Sequence, residues 1–181
     1  MTEFNTTNPI GSLYENSFHK LGGPTPKLER KLLNVIAYCL NPNHFHLILE
    51  QLTDGGISEF MKRLGGGYTG YFNNKYKRSG VLFQGKFKAV HIDSNEYLLH
   101  VSAYVNLNDR VHKLNYQLGG PTPKSSWEEY IDEKNKGICE KKTVLEQFKN
   151  VDEYKKFALS SLELMLKRKE ELGDIKDLLL E

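Results

Sequence analysis

The sequence predicts an α+β fold in which an antiparallel sheet packs against helices. Two apolar runs that flank the turn Asn41-Pro42-Asn43 predict a β-hairpin. A third apolar run, which predicts a strand, is preceded and followed by sequence patterns that predict helices. Apolar residues at helical spacing also occur in the C-terminal third of the chain. The resulting order, β-β-α-β-α followed by helices, is typical of an α+β domain.

The first elements each have a local signal. Leu33–Leu40 and His44–Glu50 are the expected hairpin strands, with alternating side chains in the second. Ser58 is the expected cap of a helix that starts near Glu59. We expect the run of glycines at 65–67 to end or interrupt that helix, with a second helical stretch from Tyr68 to Tyr76.

The later elements follow in the same way. Val81–Ile92 is the third expected strand, with a bend at Gln84-Gly85. Asp93 or Ser94 is the expected cap of a helix that runs to about Asn108. From Lys142 onward, apolar residues recur at helical spacing and predict helices; they are Val144, Phe148, Val151, Tyr154, Phe157, Leu162 and Leu166. Simply solvated helices are the favoured interpretation of this acidic tail, and an element that binds a partner or shapes DNA is the alternative.

Length and composition narrow the class of protein. A chain of 181 residues suits one domain with an appended tail, and we expect a loop-rich segment at 1–32, a catalytic domain at 33–115 and a linker with a helical region at 116–181. Two cysteines exclude a disulfide framework and a four-cysteine zinc site. With no membrane-length apolar stretch and no signal-peptide pattern, the expected location is the cytoplasm.

The heptapeptide Leu-Gly-Gly-Pro-Thr-Pro-Lys occurs twice, at 21–27 and 118–124. Its glycines and prolines predict turns or extended linkers for both copies. Two copies that far apart, with dissimilar flanks, do not indicate a repeat architecture.

The segment from Phe60 to Ile92 combines positive charge with aromatic rings. It contains seven Lys and Arg residues, seven aromatic residues and no Asp or Glu, in a chain whose net charge is only +2. Basic side chains bind phosphates, and aromatic faces stack on unpaired bases, so the pattern favours single-stranded nucleic acid as a partner. A solvated helix face with core aromatics is the alternative interpretation.

His44 and His46 lie two apart on the predicted second strand and therefore project from one face, together with Ile48. Phe45, Leu47 and Leu49 are expected to face the core. Two neighbouring imidazoles are a ready pair of ligands for a divalent ion, although such a pair alone is also compatible with ordinary surface histidines.

Tyr104 and Asn108 lie four apart and are expected on one face of the last predicted helix of the domain. A phenol that attacks a phosphodiester forms a covalent phosphotyrosine and releases a 3′-hydroxyl, so the strand can later be rejoined without ATP. A core tyrosine with its hydroxyl at the rim is the alternative interpretation of Tyr104.

Three motifs in order resemble the REP-associated tyrosine transposases of the single-tyrosine HUH (IS200-like) family. They are Y-C-L-N-P-N-H-F-H-L-I-L-E, L-F-Q-G-K-F-K-A and Y-L-L-H-V-S-A-Y-V-N-L-N, between about Val35 and Asn108. The resemblance implies a ferredoxin-like or RRM-like antiparallel sheet with helices on one side. It also implies His44, His46 and Asn108 as metal ligands and Tyr104 as the nucleophile.

By the same resemblance, the chain is expected to cleave and rejoin single-stranded DNA beside hairpins with Mg²⁺ or Mn²⁺, and to be able to form a homodimer. The DNA-binding residues are expected in the basic, aromatic segment: Arg63, Tyr68, Tyr71, Lys75, Lys77, Arg78, Gln84, Lys86 and Lys88.

The sequence also departs from this family. The family's opening strand motif, H-[VI]-x-x-R-G, does not precede Leu33. This departure favours the alternative of a catalytically decayed protein that still binds hairpin or single-stranded DNA. A partner-binding protein with inert histidines is a further alternative, and a two-histidine zinc hydrolase is disfavoured because no H-E-x-x-H motif is present.

Overall fold

The computed structural model describes Asn5, residues 30–111 and residues 124–178. In this part of the chain, strands β1 (Leu33–Leu40), β2 (Phe45–Gln51) and β3 (Lys124–Ser125) form an antiparallel sheet in the order β2-β1-β3. The helices are α1 (Gly56–Tyr76), α2 (Asn95–Asn106), α3 (Asn108–Val111), α4 (Trp127–Ile131), α5 (Lys142–Leu145) and α6 (Val151–Leu178). The predicted α+β class is confirmed.

The chain forms two compact units. One consists of Met1–Asn34 and Leu49–Val90, and the other of Val35–Ile48 and His91–Glu181. The first unit contains α1 and the irregular segment after it, whereas the second contains the hairpin turn, β3 and the remaining helices. The predicted domain boundaries at 33 and 115 stay a prediction.

The hairpin forms where the sequence predicts it. The chain turns through Pro42 and Asn43, and the Asn41 backbone N–H donates to the His44 carbonyl at 2.9 Å. On the other side of β1, Cys39 pairs with Ser125 and Leu40 with Lys124. Strand β1 is the central strand, and its residues Ile36, Ala37 and Cys39 are all buried in the core.

Strand β3 was not predicted. It includes Lys124, the last residue of the second heptapeptide, which was expected to be a turn or linker; the rest of that copy and the whole first copy lie outside the described residues. A two-residue strand has almost no sequence pattern of its own. It is stabilised by distant partners instead, such as the Ser126 N–H that donates to the Tyr38 carbonyl at 2.9 Å.

Helix α1 corrects the expectation of a break at 65–67, because it runs without interruption from Gly56 to Tyr76. It also begins earlier than predicted, with Gly55 at its N-cap and no side-chain cap. Contacts one turn apart offset part of the low helix propensity of glycine. They include the Arg63–Glu59 ion pair at 2.7 Å and the rings of Phe72 and Tyr76, whose centroids lie 4.5 Å apart.

The predicted strand at Val81–Ile92 is wrong. Residues 81–93 have no regular secondary structure, and Val81 and Val90 are 82% and 77% exposed. Gly80 and Gly85 have φ angles of 93° and 86°, which turn the chain at two points and prevent a continuous extended run. Most apolar residues of this segment are therefore exposed, whereas Ile92 packs against the core of the second unit.

Helix α2 begins where predicted. The Ser94 hydroxyl caps it by accepting from the Tyr97 N–H at 3.2 Å. It ends at Asn106, two residues earlier than expected, because Leu107 has φ −115° and ψ 17° and separates it from α3. Tyr104 therefore lies in the last turn of α2, and Asn108 is the first residue of α3.

The core of the second unit lies between the sheet and the long helices α2 and α6. Its fully buried side chains include Ala103 and Leu107 from the α2 region, Tyr130 from α4 and Tyr154 and Ala158 from α6. Helix α6 thus supplies core residues, and the expectation that the C-terminal region is a set of simply solvated helices is wrong.

Glycine-to-alanine substitutions at two positions should have opposite effects. A methyl group at Gly137 would overlap the Glu129 carboxyl group, which is buried and accepts from the Tyr38 hydroxyl and the Cys139 N–H, each at 3.0 Å. We expect Gly137→Ala to lower the free energy of unfolding by about 1–3 kcal/mol. Gly66 is exposed in the middle of α1 with open space at its Cβ position, so Gly66→Ala should raise it by about 0.5–1 kcal/mol. Urea unfolding measures both, and equal effects of the two substitutions would contradict this packing.

Candidate active site

The two histidines project from one face, as their spacing predicts, with His46 on β2 and His44 immediately before it. Their ring centroids are 5.0 Å apart, and the rings meet edge to face at 85°. The expected assignment of the faces is wrong, however. Ile48, on the histidine face, is 4% exposed and belongs to the core, whereas Phe45, Leu47 and Leu49 are only half-buried. The histidines thus lie on the face that also contributes to the core.

Helix α2 brings Tyr104 to this pair. The Tyr104 ring lies 5.5 Å from the His46 ring, centroid to centroid, at an angle of 71°. Its neighbours Ala103 and Val105 are buried in the core with Ile48, which fixes the last turn of the helix against the histidine face. Tyr104 itself stays half-buried, so its side chain is partly accessible.

Asn108 reaches the same place from α3. Its side chain is fully buried, and its Oδ1 accepts a hydrogen bond of 2.7 Å from the Asn41 Nδ2 in the hairpin turn. Its own Nδ2 is buried without a hydrogen-bond partner among the described residues. An unpaired buried donor costs about 1–3 kcal/mol, so an asparagine at this position is unfavourable for stability alone.

Hydrogen bonds define which nitrogen of His44 carries its proton. The Nδ1 atom lies 2.7 Å from the Asn43 Oδ1, which can only accept, so the proton belongs on Nδ1. The Nε2 atom then acts as an acceptor, and the Asn41 Nδ2 donates to it at 2.9 Å. In this tautomer, Nε2 is the nitrogen able to bind a metal ion.

The donor atoms fit a divalent ion. The His44 Nε2 and the Asn108 Oδ1 both accept from the Asn41 Nδ2 and so lie within one hydrogen-bond length of a common atom, and the His46 ring lies 5.0 Å from the His44 ring. Imidazole nitrogens and an amide oxygen are ligands that Mn²⁺ and Mg²⁺ accept in proteins. Among the described residues, no group of three or more His, Cys, Asp and Glu side chains is placed to hold a metal, so any centre here needs asparagine.

Cys39 lies beside this cluster, with its Sγ donating to the Asn41 Oδ1 at 3.3 Å. Burial, with a smaller contribution from Asp109, raises the pKa of the Cys39 thiol to about 11. The thiol is therefore neutral at pH 7.

The expected DNA-binding residues all lie in the first unit, on α1 and in the segment that follows it. Tyr68 and Tyr71 are 47% and 55% exposed, and the Lys75 ammonium lies 5.8 Å from the centre of the Tyr71 ring. Arg63 is half-buried in its ion pair with Glu59. The others, all exposed, are Lys77, Arg78, Gln84, Lys86 and Lys88.

The segment after α1 is tied to the end of that helix. Asn73 Nδ2 donates to the Gly80 carbonyl at 2.8 Å, and the Arg78 guanidinium donates to the Val81 carbonyl at 3.3 Å. The Phe83 ring lies 6.1 Å from the Tyr68 ring. We call the exposed basic and aromatic side chains of residues 68–88 the basic aromatic surface.

Sequence reasoning missed the parts played by Asn41 and Asn43. Both were assigned only to turn formation, yet each contacts a ring nitrogen of His44. Their position within three residues of the histidine pair, in a turn that folds back on it, is the signal that points to them.

Comparison with known proteins relates part of the chain to a family. The sequence model of the family described as "Transposase IS200 like" matches residues 25–108. No curated protein and no solved structure gives a significant match. Within the described residues, no helix is both long enough and apolar enough to cross a membrane. The matched segment contains the hairpin, α1 and α2 and reaches Asn108, and it supports a relationship of this chain to the IS200-like transposases.

Proposed function

We propose that this protein is a metal-dependent transposase that cleaves and rejoins single-stranded DNA beside hairpins through a phosphotyrosine at Tyr104. The observation that carries the proposal is the proximity of the Tyr104 and His46 rings, 5.5 Å apart in one compact unit with His44 and Asn108. The similarity to the IS200-like transposases supports the same class of activity. It is a further proposal that the chain is of the REP-associated type.

In the first half of the reaction, the Tyr104 oxygen attacks the phosphorus of the scissile phosphodiester. A bond forms between this oxygen and phosphorus, the bond from phosphorus to the 3′-oxygen breaks, and the phenol proton is lost while the leaving 3′-oxygen gains one. The product is a 5′-phosphotyrosine and a free 3′-hydroxyl. In the second half, a 3′-hydroxyl attacks the same phosphorus and regenerates the tyrosine.

The other residues position and hold these groups. His44, His46 and Asn108 would hold Mg²⁺ or Mn²⁺, which supplies charge stabilisation at the phosphate when bound. Asn43 keeps the proton of His44 on Nδ1 and so leaves Nε2 unprotonated. The half-buried environment of Tyr104 limits the access of water that would compete with the 3′-hydroxyl.

The basic aromatic surface is the proposed contact with the unpaired strand. Its exposed tyrosines offer ring faces to bases, and its lysines offer charge to phosphates. This is a property of the first unit alone, so it would persist in a protein that had lost catalysis. DNA binding without cleavage is therefore the second candidate function.

The covalent step is tested with a labelled single-stranded oligonucleotide that contains a hairpin. We expect the wild-type protein with Mn²⁺ to form an adduct that survives denaturing electrophoresis. Tyr104→Phe should form none, a loss of more than about 10³-fold, because no other hydroxyl replaces the nucleophile. The fold and the DNA affinity should be little changed.

Tyr97 provides a matched control, since it lies two turns earlier on α2 and is 40% exposed. Tyr97→Phe should form adducts like the wild-type protein. Adducts in Tyr104→Phe would refute the assignment. DNA binding without adducts in the wild-type protein would instead favour the second candidate function.

The basic aromatic surface is tested by the salt dependence of DNA binding. Each lost phosphate contact lowers the slope of log K against log salt by about 0.7 for a single strand. We expect the double substitution Lys86→Ala and Lys88→Ala to weaken binding and flatten this slope.

The control is the double substitution Lys155→Ala and Lys156→Ala, at exposed positions of α6. It should leave the slope unchanged, and fluorescence anisotropy at several salt concentrations measures both. If the two pairs of substitutions change the slope equally, general charge and not this surface determines binding.

A further inference from the structure

We propose that Asn41 is a fourth protein ligand of the metal centre, through its side-chain oxygen. This inference rests on the proposed metal-dependent function and adds a residue that was otherwise assigned only to the hairpin turn. Three observations carry it: the position of the Asn41 amide between two predicted ligands, the spacing of the atoms and the contact with Cys39.

The terminal nitrogen of the Asn41 amide lies between two atoms that offer electron pairs. It is 2.9 Å from the His44 Nε2 and 2.7 Å from the Asn108 Oδ1. These two atoms come from different elements of the second unit, the hairpin and α3, yet they converge on one side chain. Asn41 is half-buried, so it is also within reach of an ion from solvent.

The spacing between the Asn41 amide and these two atoms allows it to share an ion with them. In an octahedral site with bonds of 2.1 Å, adjacent ligand atoms lie about 3.0 Å apart. The distances of 2.9 and 2.7 Å from the Asn41 amide to its two neighbours are close to this separation. If the amide oxygen took the place of the amide nitrogen, it could therefore occupy a coordination position next to the His44 Nε2 and next to the Asn108 Oδ1.

A half-turn of the amide group exchanges its nitrogen and oxygen at little cost. Before the turn, the Cys39 thiol donates to the Asn41 Oδ1 at 3.3 Å. After the turn, the sulfur can accept from the amide N–H₂, because a neutral thiol is a weak donor and a weak acceptor. The amide thus keeps a partner in both orientations. Without metal, its N–H₂ group donates hydrogen bonds to the two predicted ligand atoms. With metal, its oxygen binds the ion beside them.

The backbone supports this exchange. The Asn41 N–H donates to the His44 carbonyl at 2.9 Å, which fixes the two residues across the turn in both states. The bond from the His44 Nδ1 to Asn43 also does not involve Asn41. Rotation of one amide is therefore sufficient to change the cluster from a hydrogen-bonded form to a ligating form.

The test is Mn²⁺ binding to the full chain without DNA, measured by calorimetry and by the electron paramagnetic resonance of free Mn²⁺. We expect Asn41→Ala to weaken Mn²⁺ binding at least about tenfold. Asn41→Asp should bind Mn²⁺ at least as tightly as the wild-type protein, because a carboxylate keeps the ligating oxygen and adds negative charge. Circular dichroism shows whether each variant is folded.

Asn41→Asp separates the ligand role from a purely structural one. If the amide only bridged His44 and Asn108 by donating hydrogen bonds, a carboxylate could not replace it, and this variant would bind as weakly as Asn41→Ala. Asn34→Ala, at the other end of β1, is the matched control and should bind like the wild-type protein. Unchanged or tighter binding by Asn41→Ala would overturn the inference.

His46→Ala distinguishes a failure of this inference from a failure of the proposed function. One outcome is that the wild-type protein and Asn41→Ala both bind Mn²⁺ normally while His46→Ala does not bind it. In that case the inference about Asn41 fails, and the proposed metal centre is supported. If the wild-type protein itself does not bind Mn²⁺, the metal centre fails and the inference fails with it.

Discussion

A buried hydrogen-bond network around Asn106 holds the end of α2 in place, and the geometry of the site depends on it. The Ser126 hydroxyl donates to the Asn106 Oδ1 at 2.5 Å and accepts from the Tyr38 backbone N–H at 2.9 Å, which links α2 to β1. The Asn106 Nδ2 donates to the Tyr154 hydroxyl at 2.8 Å, which links α2 to α6. Asn106, Ser126 and Tyr154 are all fully buried, so loss of one partner would leave another unsatisfied, at about 1–3 kcal/mol.

This network explains how residues of three elements meet. Asn106 lies between Tyr104 and Asn108 in sequence, so fixing it against β1 and α6 sets the position of both. The hairpin turn independently fixes His44 through the backbone bond from Asn41. The nucleophile and the metal ligands of the proposed mechanism are therefore held by rigid elements, as a site with little freedom to reorganise requires.

Local patterns in the sequence predicted the hairpin, the Ser94 cap and the proximity of side chains at i and i+2 around the start of β2.

Local patterns failed where contacts between residues distant in sequence determine the structure. Nothing near Lys124 indicates β3, because its partners lie in β1. The glycines at 65–67 suggested a break, but ring contacts and an ion pair in the adjoining turns maintain α1. Alternation put Ile48 on the histidine face, as found, but assigned the core to the opposite face; β2 has apolar residues on both faces, and packing decides which is buried. Asn41 looked like a turn residue, since its contact with Asn108 spans 67 positions of the chain.

The central claim is that Tyr104 becomes covalently joined to DNA, and peptide mapping of the adduct tests it most directly. Trypsin cleaves after Lys88 and Arg110, so one peptide of the wild-type protein contains both Tyr97 and Tyr104. After nuclease digestion of the adduct, tandem mass spectrometry should locate the remaining phosphonucleotide on Tyr104. A modification on Tyr97, or on a residue of another peptide, would contradict the account.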